Sequence, residues 1–303
     1  NDGATTTSAA VNITVNSGST VPGGSQLWWK ADAGVTKDGG DAVSQWADQS
    51  GNNHHAVQST AAHKPLYVAG AINGQPALRF DNSNDWLGAT VNLAETNYTL
   101  AVVFKTTDPS GTLLIGTHPT SPGAISYDRT VGVSNGKLRH YVYNTYDITP
   151  TDTPDTYHDG QPHLAVITVD SGGTKVYVDG ALVASGLKTA SDFTGQTGVL
   201  VGHHDSLGAF GGDLAEVLVY ARVLSDADRN ALVDDLTAKY GIGGAPPTIP
   251  AGSDLWWKAD AGVTKDGSDA VSQWADQSGN DHHATQSTAA HKPLYVAGAI
   301  NGQ

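Results

Sequence analysis

Carboxylate pairs are the groups with which most glycosidases cleave their substrates, and this chain is rich in carboxylates. One carboxyl group must stay protonated as the acid while its partner is ionised. Nearly all the acidic residues here are Asp, since Glu occurs only at Glu95 and Glu216. No sequence pattern supports an all-Asp pair, so we predict that the chain is not an enzyme and keep a glycan-cleaving activity as an alternative.

Two turns rich in Asp and Asn carry the oxygen ligands that calcium prefers. The segment from Asp81 to Asp85 has oxygens at alternate positions but lacks the Gly and the distal Glu of an EF-hand. Asp48 and Asn52 delimit the second turn. We therefore predict calcium as the candidate cofactor, with these four residues as candidate ligands. The alternative at each turn is an Asx-turn, in which the carboxylate accepts hydrogen bonds from its own backbone.

Histidines occur as two adjacent pairs, His54–His55 and His203–His204. Adjacent residues on a strand point to opposite faces, so such a pair rarely supplies two ligands to one ion. We expect at most one histidine to touch a ligand and predict no transition-metal site.

Aromatic side chains can bind sugars, because pyranose C–H faces stack on their rings while the hydroxyl groups bond to Asp and Asn. At least one of Trp28 and Trp29 must lie in the core if both are on one strand, and Trp46 is also predicted to be core. The predicted ligand-binding residues are surface aromatics and one carboxylate near them: Trp86, Tyr127, Tyr143, Tyr146, Tyr157 and Asp147. The segment 144–161 has no strand pattern, and a loop of that length predicts a binding rim. Packing is the competing role for each aromatic residue.

The charge balance excludes some classes of function. The chain has 30 acidic and 16 basic residues and a net charge of -14. Nucleic-acid binding is driven by cationic neutralisation of phosphates, so we predict no nucleic-acid partner. No apolar run approaches the roughly 20 residues of a membrane span. The chain contains no Cys, which excludes disulfides and thiolate metal sites.

A near-identical segment occurs twice. Residues 24–75, which we call the N-terminal copy, return as residues 252–303, the C-terminal copy, at an offset of 228 positions. Only four of the 52 paired positions differ, and most of the changes are typical of solvated loops: Gln26/Asp254, Gly40/Ser268, Asn53/Asp281 and Val57/Thr285. One repeat unit therefore occupies about 24–251, and we expect further near-identical repeats in the same protein.

The repeat predicts four parts of the chain. Residues 1–23 alternate in the manner of a terminal strand of a preceding immunoglobulin-like or cadherin-like module, or of a linker. Residues 24–243 form the main domain, 244–251 a Gly/Pro linker, and 252–303 the truncated start of a second unit. Half a core cannot bury its apolar side chains, so we expect 252–303 to be disordered, packed on the first unit, or exchanged with the matching segment of another molecule.

Short strand-like runs fill the main domain, with tight turns at Asn135-Gly136 and Asp179-Gly180. The predicted strands are 77–80, 98–105, 112–117, 137–144, 163–170, 174–178, 198–202 and 214–220. Only one segment predicts a helix. Ser225 and Asp228 form a capping box, apolar residues follow at every fourth position, and Gly241 predicts a left-handed stop.

The motifs WWKADAGVT, WADQSGNNHHA, PALRFDNSNDWL, YTLAVVFKT, DGQPHLAVITVDSGGTKVYVDGALV and GDLAEVLVYARVLSDADRNALVDDL occur in this order over residues 25–240. The set resembles the laminin-G-like branch of the concanavalin A-like lectin superfamily. The resemblance implies an all-β, antiparallel jelly-roll β-sandwich with one short C-terminal helix. It also implies glycan or protein partners, often with calcium at the rim of the sandwich. Hydrolases of this superfamily usually carry a Glu-x-Asp strand motif, which neither Glu of this chain matches.

The sequence favours a non-catalytic, lectin-like carbohydrate-binding module, with calcium as its candidate cofactor. Its expected setting is a repetitive extracellular adhesin or a polysaccharide-processing protein at the cell surface. The expected partners are a glycan or surface polysaccharide and neighbouring repeats, with a domain swap through 252–303. The alternatives are a structural spacer in a stalk or fibre that binds no small ligand, and a glycoside hydrolase or lyase of the same fold.

Overall fold

The computed structural model describes residues 21–124, 126–142, 145–148, 156–191, 193, 195–243, 262–276 and 282–296. The strands of the main domain are, in chain order, β1 (Leu27–Lys30), β2 (Val35–Lys37), β3 (Val43–Trp46), β4 (Ala56–Val57), β5 (Leu66–Ile72), β6 (Gln75–Asp81), β7 (Leu87–Thr90), β8 (Tyr98–Lys105), β9 (Gly111–His118), β10 (Ser126–Ser134), β11 (Lys137–Val142), β12 (Thr145–Ile148), β13 (Pro162–Asp170), β14 (Gly173–Val178), β15 (Ala181–Gly186), β16 (Gly198–Val201), β17 (His203–His204), β18 (Gly208–Ala209) and β19 (Gly211–Tyr220).

Two antiparallel sheets form a sandwich in the described part of the chain. The first sheet has the order β15-β14-β13-β8-β19-β6-β5, with β1 also paired to β19. The second has nine strands in the order β12-β11-β10-β9-β16-β7-β4-β3-β2. In the N-terminal copy, β1 and β5 lie in the first sheet and β2, β3 and β4 lie in the second, so this copy contributes to both layers. This architecture confirms the predicted all-β sandwich.

The main core fills the space between the two sheets. Trp29 and Trp46 are fully buried there and stack with their ring centroids 6.0 Å apart, which confirms both as core residues. Alternate residues of the first sheet face the other way and form a second apolar layer. Trp28 is half-buried on that outer side, where its indole N–H donates to Glu216 at 2.5 Å.

One helix, α1 (Asp226–Tyr240), covers the second apolar layer through Leu232, Leu236 and Tyr240. It begins where predicted, because the Ser225 side chain accepts a hydrogen bond from the Asp228 backbone N–H at 3.1 Å. It ends at Gly241, whose φ of 64° is in the left-handed region. No helix in the described residues is long and apolar enough to cross a membrane.

The predicted strands and hairpins are confirmed wherever the structure describes them. Asn135-Gly136 and Asp179-Gly180 have positive φ at both positions, as two-residue hairpin turns require. One prediction was wrong. The segment 144–161, expected to lack strand structure, contains β12, which pairs with β11 at the edge of the nine-stranded sheet. The predicted terminal strand within 1–23 and the linker 244–251 lie mainly outside the described residues.

The C-terminal copy folds locally as the N-terminal copy does. β20 (Val263–Lys265), β21 (Val271–Trp274) and β22 (Ala284–Thr285) form a three-stranded sheet, and a short 3-10 turn follows at Ala289–His291. The equivalent strands of the first copy are β2, β3 and β4, with the matching turn at Ala61–His63. Residues 252–261, 277–281 and 297–303 lie outside the described part.

Candidate functional site

The outer face of the nine-stranded sheet carries an open pocket of about 450 Å³. Leu87 and Ala89 of β7 point into the main core, so the residues between and beside them point outward. Trp86, Gly88 and Thr90 therefore lie along the outer face of one strand. The pocket is lined by these residues and by Asn53, His54, His55, Val57, Ala89 and Thr120.

Gly88 allows the half-buried Trp86 ring to lie against the sheet. A Cβ atom at this position would come within 2.6 Å of Leu200 Cδ2 and 3.0 Å of Trp86 Cζ3. Thr120 packs from the other side, with its methyl carbon 3.2 Å from the same point. The indole thus forms one wall of the pocket and also packs against an apolar cluster of Ile115, Leu200 and Leu207. This is the exposed aromatic surface that stacking on a sugar requires.

Asp48 shapes the segment that lines the opposite side of the pocket. Its Oδ2 accepts hydrogen bonds from the His54 backbone N–H at 3.0 Å and from the Ser50 hydroxyl at 2.7 Å. The Asp48 backbone N–H in turn donates to His55 Nδ1 at 3.0 Å. The two histidines are therefore held in place by local hydrogen bonds, and with the neighbouring Asn53 they give the pocket a polar rim.

A second group of aromatic residues lies on the same outer face. Tyr127 is half-buried, with its ring centroid 5.2 Å from Tyr141 and 4.4 Å from His204. Burial lowers the pKa of His204 and outweighs the hydrogen bond from its ring to the Ala124 carbonyl. Tyr127 belongs to β10, three strand spacings from β7, or about 14 Å. Trp86 and Tyr127, both predicted from the sequence, therefore lie on one face but at separate positions.

The structure does not place the other predicted ligand-binding residues beside Trp86 and Tyr127. Tyr157 is 5% exposed and packs in the main core, with its ring centroid 5.3 Å from that of His163. The prediction that Tyr157 is a surface platform is therefore wrong, because the ring fills space between the two sheets. Tyr143 lies outside the described residues. Tyr146 and Asp147 lie on β12, and their side chains are outside the described part.

Asp48 and Asn52, the predicted metal ligands of one turn, form hydrogen bonds with other groups of the protein. Besides its bonds through Oδ2, Asp48 accepts hydrogen bonds at Oδ1 from the backbone N–H groups of Trp28 and Ser50, both at 2.9 Å. Asn52 donates to the carbonyls of Ser25 and Gln26. We correct the metal-ligand assignment of Asp48, because the turn uses both of its carboxylate oxygens, in part to hold β1 beside it. Burial acts to raise the pKa of Asp48, but these hydrogen bonds outweigh it and lower the pKa. Asn52 donates through its amide nitrogen, and calcium binding by its Oδ1 stays a prediction.

The second predicted metal turn is organised differently. Asp81 Oδ1 accepts hydrogen bonds from the backbone N–H groups of Ser83, Asn84 and Asp85, which is the Asx-turn alternative. Asp85 is 7% exposed, and burial together with the nearby charge of Asp81 raises its pKa to about 6. Among the described residues no three His, Asp or Glu side chains converge as a metal site. Calcium binding by Asp81 and Asp85 stays a prediction.

Two further groups of charged side chains form ion pairs and hydrogen bonds within the protein. Glu216 is fully buried and accepts hydrogen bonds from Lys239 and from the Tyr240 hydroxyl, both at 2.8 Å. A cavity of about 360 Å³ at one end of the first sheet is lined in part by Arg79 and Asp213. These two form a bidentate ion pair at 2.7 and 2.9 Å, so Asp213 has a structural partner.

Most residues of the pocket were not predicted from the sequence. Asn53, Val57, Gly88 and Thr120 come from three separate stretches, and no local pattern connects them. One signal could have found two of them. Asn53 and Val57 are two of the four positions at which the copies differ.

The two antiparallel sheets form a β-sandwich of the concanavalin A-like fold. Residues 80–228 match the family model described as the concanavalin A-like lectin/glucanases superfamily, which agrees with the observed fold. No curated protein matches the chain.

Solved structures resemble the chain at low sequence identity. A Trypanosoma rangeli sialidase in complex with sialic acid has 17% identity and a TM-score of 0.51, over 72% of this chain and 34% of that chain. A mutant of this sialidase displaying trans-sialidase activity has 18% identity and a TM-score of 0.50, over 73% and 34%. The chain thus spans about a third of the length of these sialidases, and the likeness concerns the fold.

A further similar structure is domain 4 of AbnA, a GH43 extracellular arabinanase from Geobacillus stearothermophilus, in complex with arabinotriose. It has 16% identity and a TM-score of 0.49, over 70% of this chain and 98% of that chain.

Proposed function

We propose that the domain is a non-catalytic carbohydrate-binding module whose site is the Trp86 pocket. The observation that carries this proposal is the Trp86 ring, which lies across Gly88 as the wall of an open pocket with polar groups at its rim. An apolar surface beside a few fixed polar groups is the usual composition of a small-ligand site. A sugar ring likewise combines apolar C–H faces with polar edges, so it matches such a site.

The role of Glu216 supports the non-catalytic part of the proposal. Its carboxylate is enclosed between β1, β19 and α1 and bound to three side chains, Trp28, Lys239 and Tyr240. A general acid or a nucleophile must reach the substrate. Glu95, the other Glu, is only half-buried and lies in the loop between β7 and β8 rather than on a strand. An extracellular setting, adhesion and repetition in the parent protein are part of the same proposal and rest on the sequence.

A glycan array probed with the whole chain, followed by calorimetric titration of the best ligand, tests the proposal. Trp86→Ala should weaken binding by at least about tenfold, because the loss of a buried aromatic contact typically costs 2 kcal/mol or more. Trp86→Phe should retain part of the affinity, since a smaller ring can still stack. Leu182→Ala is the matched control, because Leu182 is 54% exposed on the first sheet, away from the pocket.

Other outcomes would redirect the proposal. A silent array would favour the structural spacer. If Trp86→Ala leaves binding intact and Tyr127→Ala abolishes it, the binding site is the second aromatic group. Repeating the titration in EDTA separates a calcium-dependent site from a calcium-independent one.

A further inference from the structure

His55 is fixed in one tautomer by the backbone of its own turn. The Asp48 backbone N–H donates to His55 Nδ1 at 3.0 Å. A ring nitrogen that accepts a hydrogen bond carries no proton, so the ring is neutral and its single proton lies on Nε2. In the described part of the chain no protein group accepts a hydrogen bond from this Nε2. His55 therefore has one hydrogen-bond donor left for a ligand.

The residue before His55 is held from two further sides. The His54 backbone N–H donates to Asp48 Oδ2 at 3.0 Å. The His54 carbonyl accepts a hydrogen bond from the indole N–H of Trp29, a fully buried residue of β1, at 2.8 Å. Asp48 is itself only 8% exposed. The half-buried imidazole of His55 is thus attached to a segment anchored in the core, so a ligand binds it without first having to order it.

The same arrangement recurs in the C-terminal copy. The Asp276 backbone N–H donates to His283 Nδ1 at 3.1 Å, and the His282 backbone N–H donates to Asp276 Oδ2 at 3.2 Å. Residues 48–55 and 276–283 differ only at Asn53/Asp281. The local sequence of the turn therefore specifies the tautomer, and His283 is a matched reference for His55 that does not line the pocket.

Strand pairing sets the position of His55 relative to the indole of Trp86. His55 and Val57 both line the pocket. Val57 pairs with Gly88 in antiparallel register, which brings His55 level with Thr90. The Trp86 ring lies against Gly88, which is two residues from Thr90 along β7, or about 7 Å. A sugar ring that stacks on the indole therefore has an edge toward His55.

The residues that line the pocket carry no Asp, Glu, Lys or Arg side chain, in a chain with 30 acidic and 16 basic residues. The polar groups of the lining are Asn, His and Thr side chains. A charged sugar would lose water of hydration in such a pocket without gaining an opposite charge, which is costly. The pocket therefore matches an uncharged ligand.

We propose that His55 determines the specificity of the Trp86 pocket and that the ligand is an uncharged sugar. The His55 Nε2–H group donates to a hydroxyl or ring oxygen at the edge of the sugar, while the indole packs against the C–H face. The inference rests on the proposed function and adds the polar half of recognition. The ammonium group of an amino sugar can only donate, so it would meet another donor at this position and is rejected.

The tautomer of His55 can be measured in the full chain without any ligand. Long-range proton–nitrogen correlation NMR of isotope-labelled histidine, in mildly alkaline solution, reports which ring nitrogen carries the proton. The signals are assigned with His55→Asn and His283→Asn. We expect both histidines to carry their proton on Nε2. A proton on Nδ1 of His55, or two tautomers in exchange, would overturn the inference.

A glycan array that carries neutral, uronic-acid and amino-sugar oligosaccharides tests the ligand class. We expect the full chain to bind neutral oligosaccharides. Addition of the most tightly bound of these should shift the NMR signal of His55 Nε2–H and leave that of His283 in place. This measurement uses the parent chain, so it does not depend on the stability of any variant.

Two substitutions separate the donor of His55 from the hydrogen bond that holds the turn. Asn keeps an acceptor at the place of Nδ1 but has no donor at the place of Nε2. His55→Asn should therefore weaken binding of the same oligosaccharide by about tenfold, the scale expected when a buried polar group loses its partner. His55→Gln has a donor near the place of Nε2 and should bind more tightly than His55→Asn. His283→Asn is the matched control and should leave affinity unchanged.

The outcomes distinguish a failure of this inference from a failure of the proposed function. Preference for amino-sugar or uronic-acid oligosaccharides would overturn the ligand class. Binding that depends on Trp86 but is unchanged in His55→Asn would overturn the role of His55 and keep the proposed function. A silent array would contradict the proposed function itself, and with it the role of His55 in recognising a sugar.

Discussion

At the scale of single residues, the ionisable groups predict how stability depends on pH. The pKa of Asp85 is raised to about 6, so the folded state binds this proton more tightly than the unfolded state does. His163 acts in the same direction. Burial lowers its pKa, but the contacts with Asp179 at 2.8 Å and Asp159 at 3.1 Å outweigh this and raise it. Asp85 therefore stabilises the fold less as pH rises from about 4 through 6, and His163 stabilises it less as pH rises through its raised pKa.

Asp85→Asn should remove the contribution of Asp85 to the pH dependence of stability. At pH 8 the variant should be more stable than the parent by about 1–2 kcal/mol, because it no longer buries a charge. At pH 4 the two proteins should be nearly equal, since Asp85 is then mostly protonated. Urea unfolding at both pH values measures the difference. Asp234→Asn, on the exposed face of α1, is the control. Equal gains at the two pH values would show that the Asp85 carboxyl group titrates normally.

At the scale of elements, the capping of α1 illustrates how local sequence sets a boundary. Ser225→Ala removes the side-chain acceptor for the Asp228 N–H and should cost about 1 kcal/mol. The unfolding midpoint should fall by about 2–4 °C, since α1 covers the second apolar layer and does not unfold alone. Asn230→Ala, on the exposed side of the helix, should leave the midpoint nearly unchanged. An unaltered midpoint for Ser225→Ala would mean that packing alone defines the helix start.

At the scale of the whole molecule, Glu216 joins the N-terminal copy, the last strand and the helix. Glu216→Ala leaves Lys239 and the Tyr240 hydroxyl without their buried acceptor and should destabilise the fold by about 3–5 kcal/mol. Glu216→Gln keeps two of the contacts and should cost less. Calorimetry gives both values, and glycan titration well below the midpoint completes the test. Unchanged affinity is expected, whereas a stable variant without binding would assign Glu216 to the site.

The repeated segment also acts at the scale of the whole molecule. A sandwich whose first strands lie in both sheets depends on its N-terminal copy for closure. The described part of the C-terminal copy forms strands equivalent to β2, β3 and β4, and Val271, Trp274 and Ala284 match the core residues Val43, Trp46 and Ala56.

Much of the fold could be predicted from the sequence because its determinants are local. The Ser225 cap, the Gly241 stop and the Asp179-Gly180 turn each depend on neighbours in the chain, and alternation of apolar residues indicated the strands. The copies could be aligned without any structure. Trp46 was correctly predicted as core, and Trp86 and Tyr127 proved to be half-exposed on one outer face.

Only the tertiary structure decided which polar and aromatic residues lie close together. Tyr157 and Trp86 are both aromatic residues in Asp- and Thr-rich surroundings, yet one fills the core and the other lines a pocket. Asp48 has the composition of a metal ligand, but backbone N–H groups and the Ser50 hydroxyl occupy both of its carboxylate oxygens, whereas at Asp81 backbone N–H groups occupy only Oδ1. Sequence determines which groups a chain can offer, whereas contacts between residues far apart in the chain arise from sheet order, which local patterns do not encode.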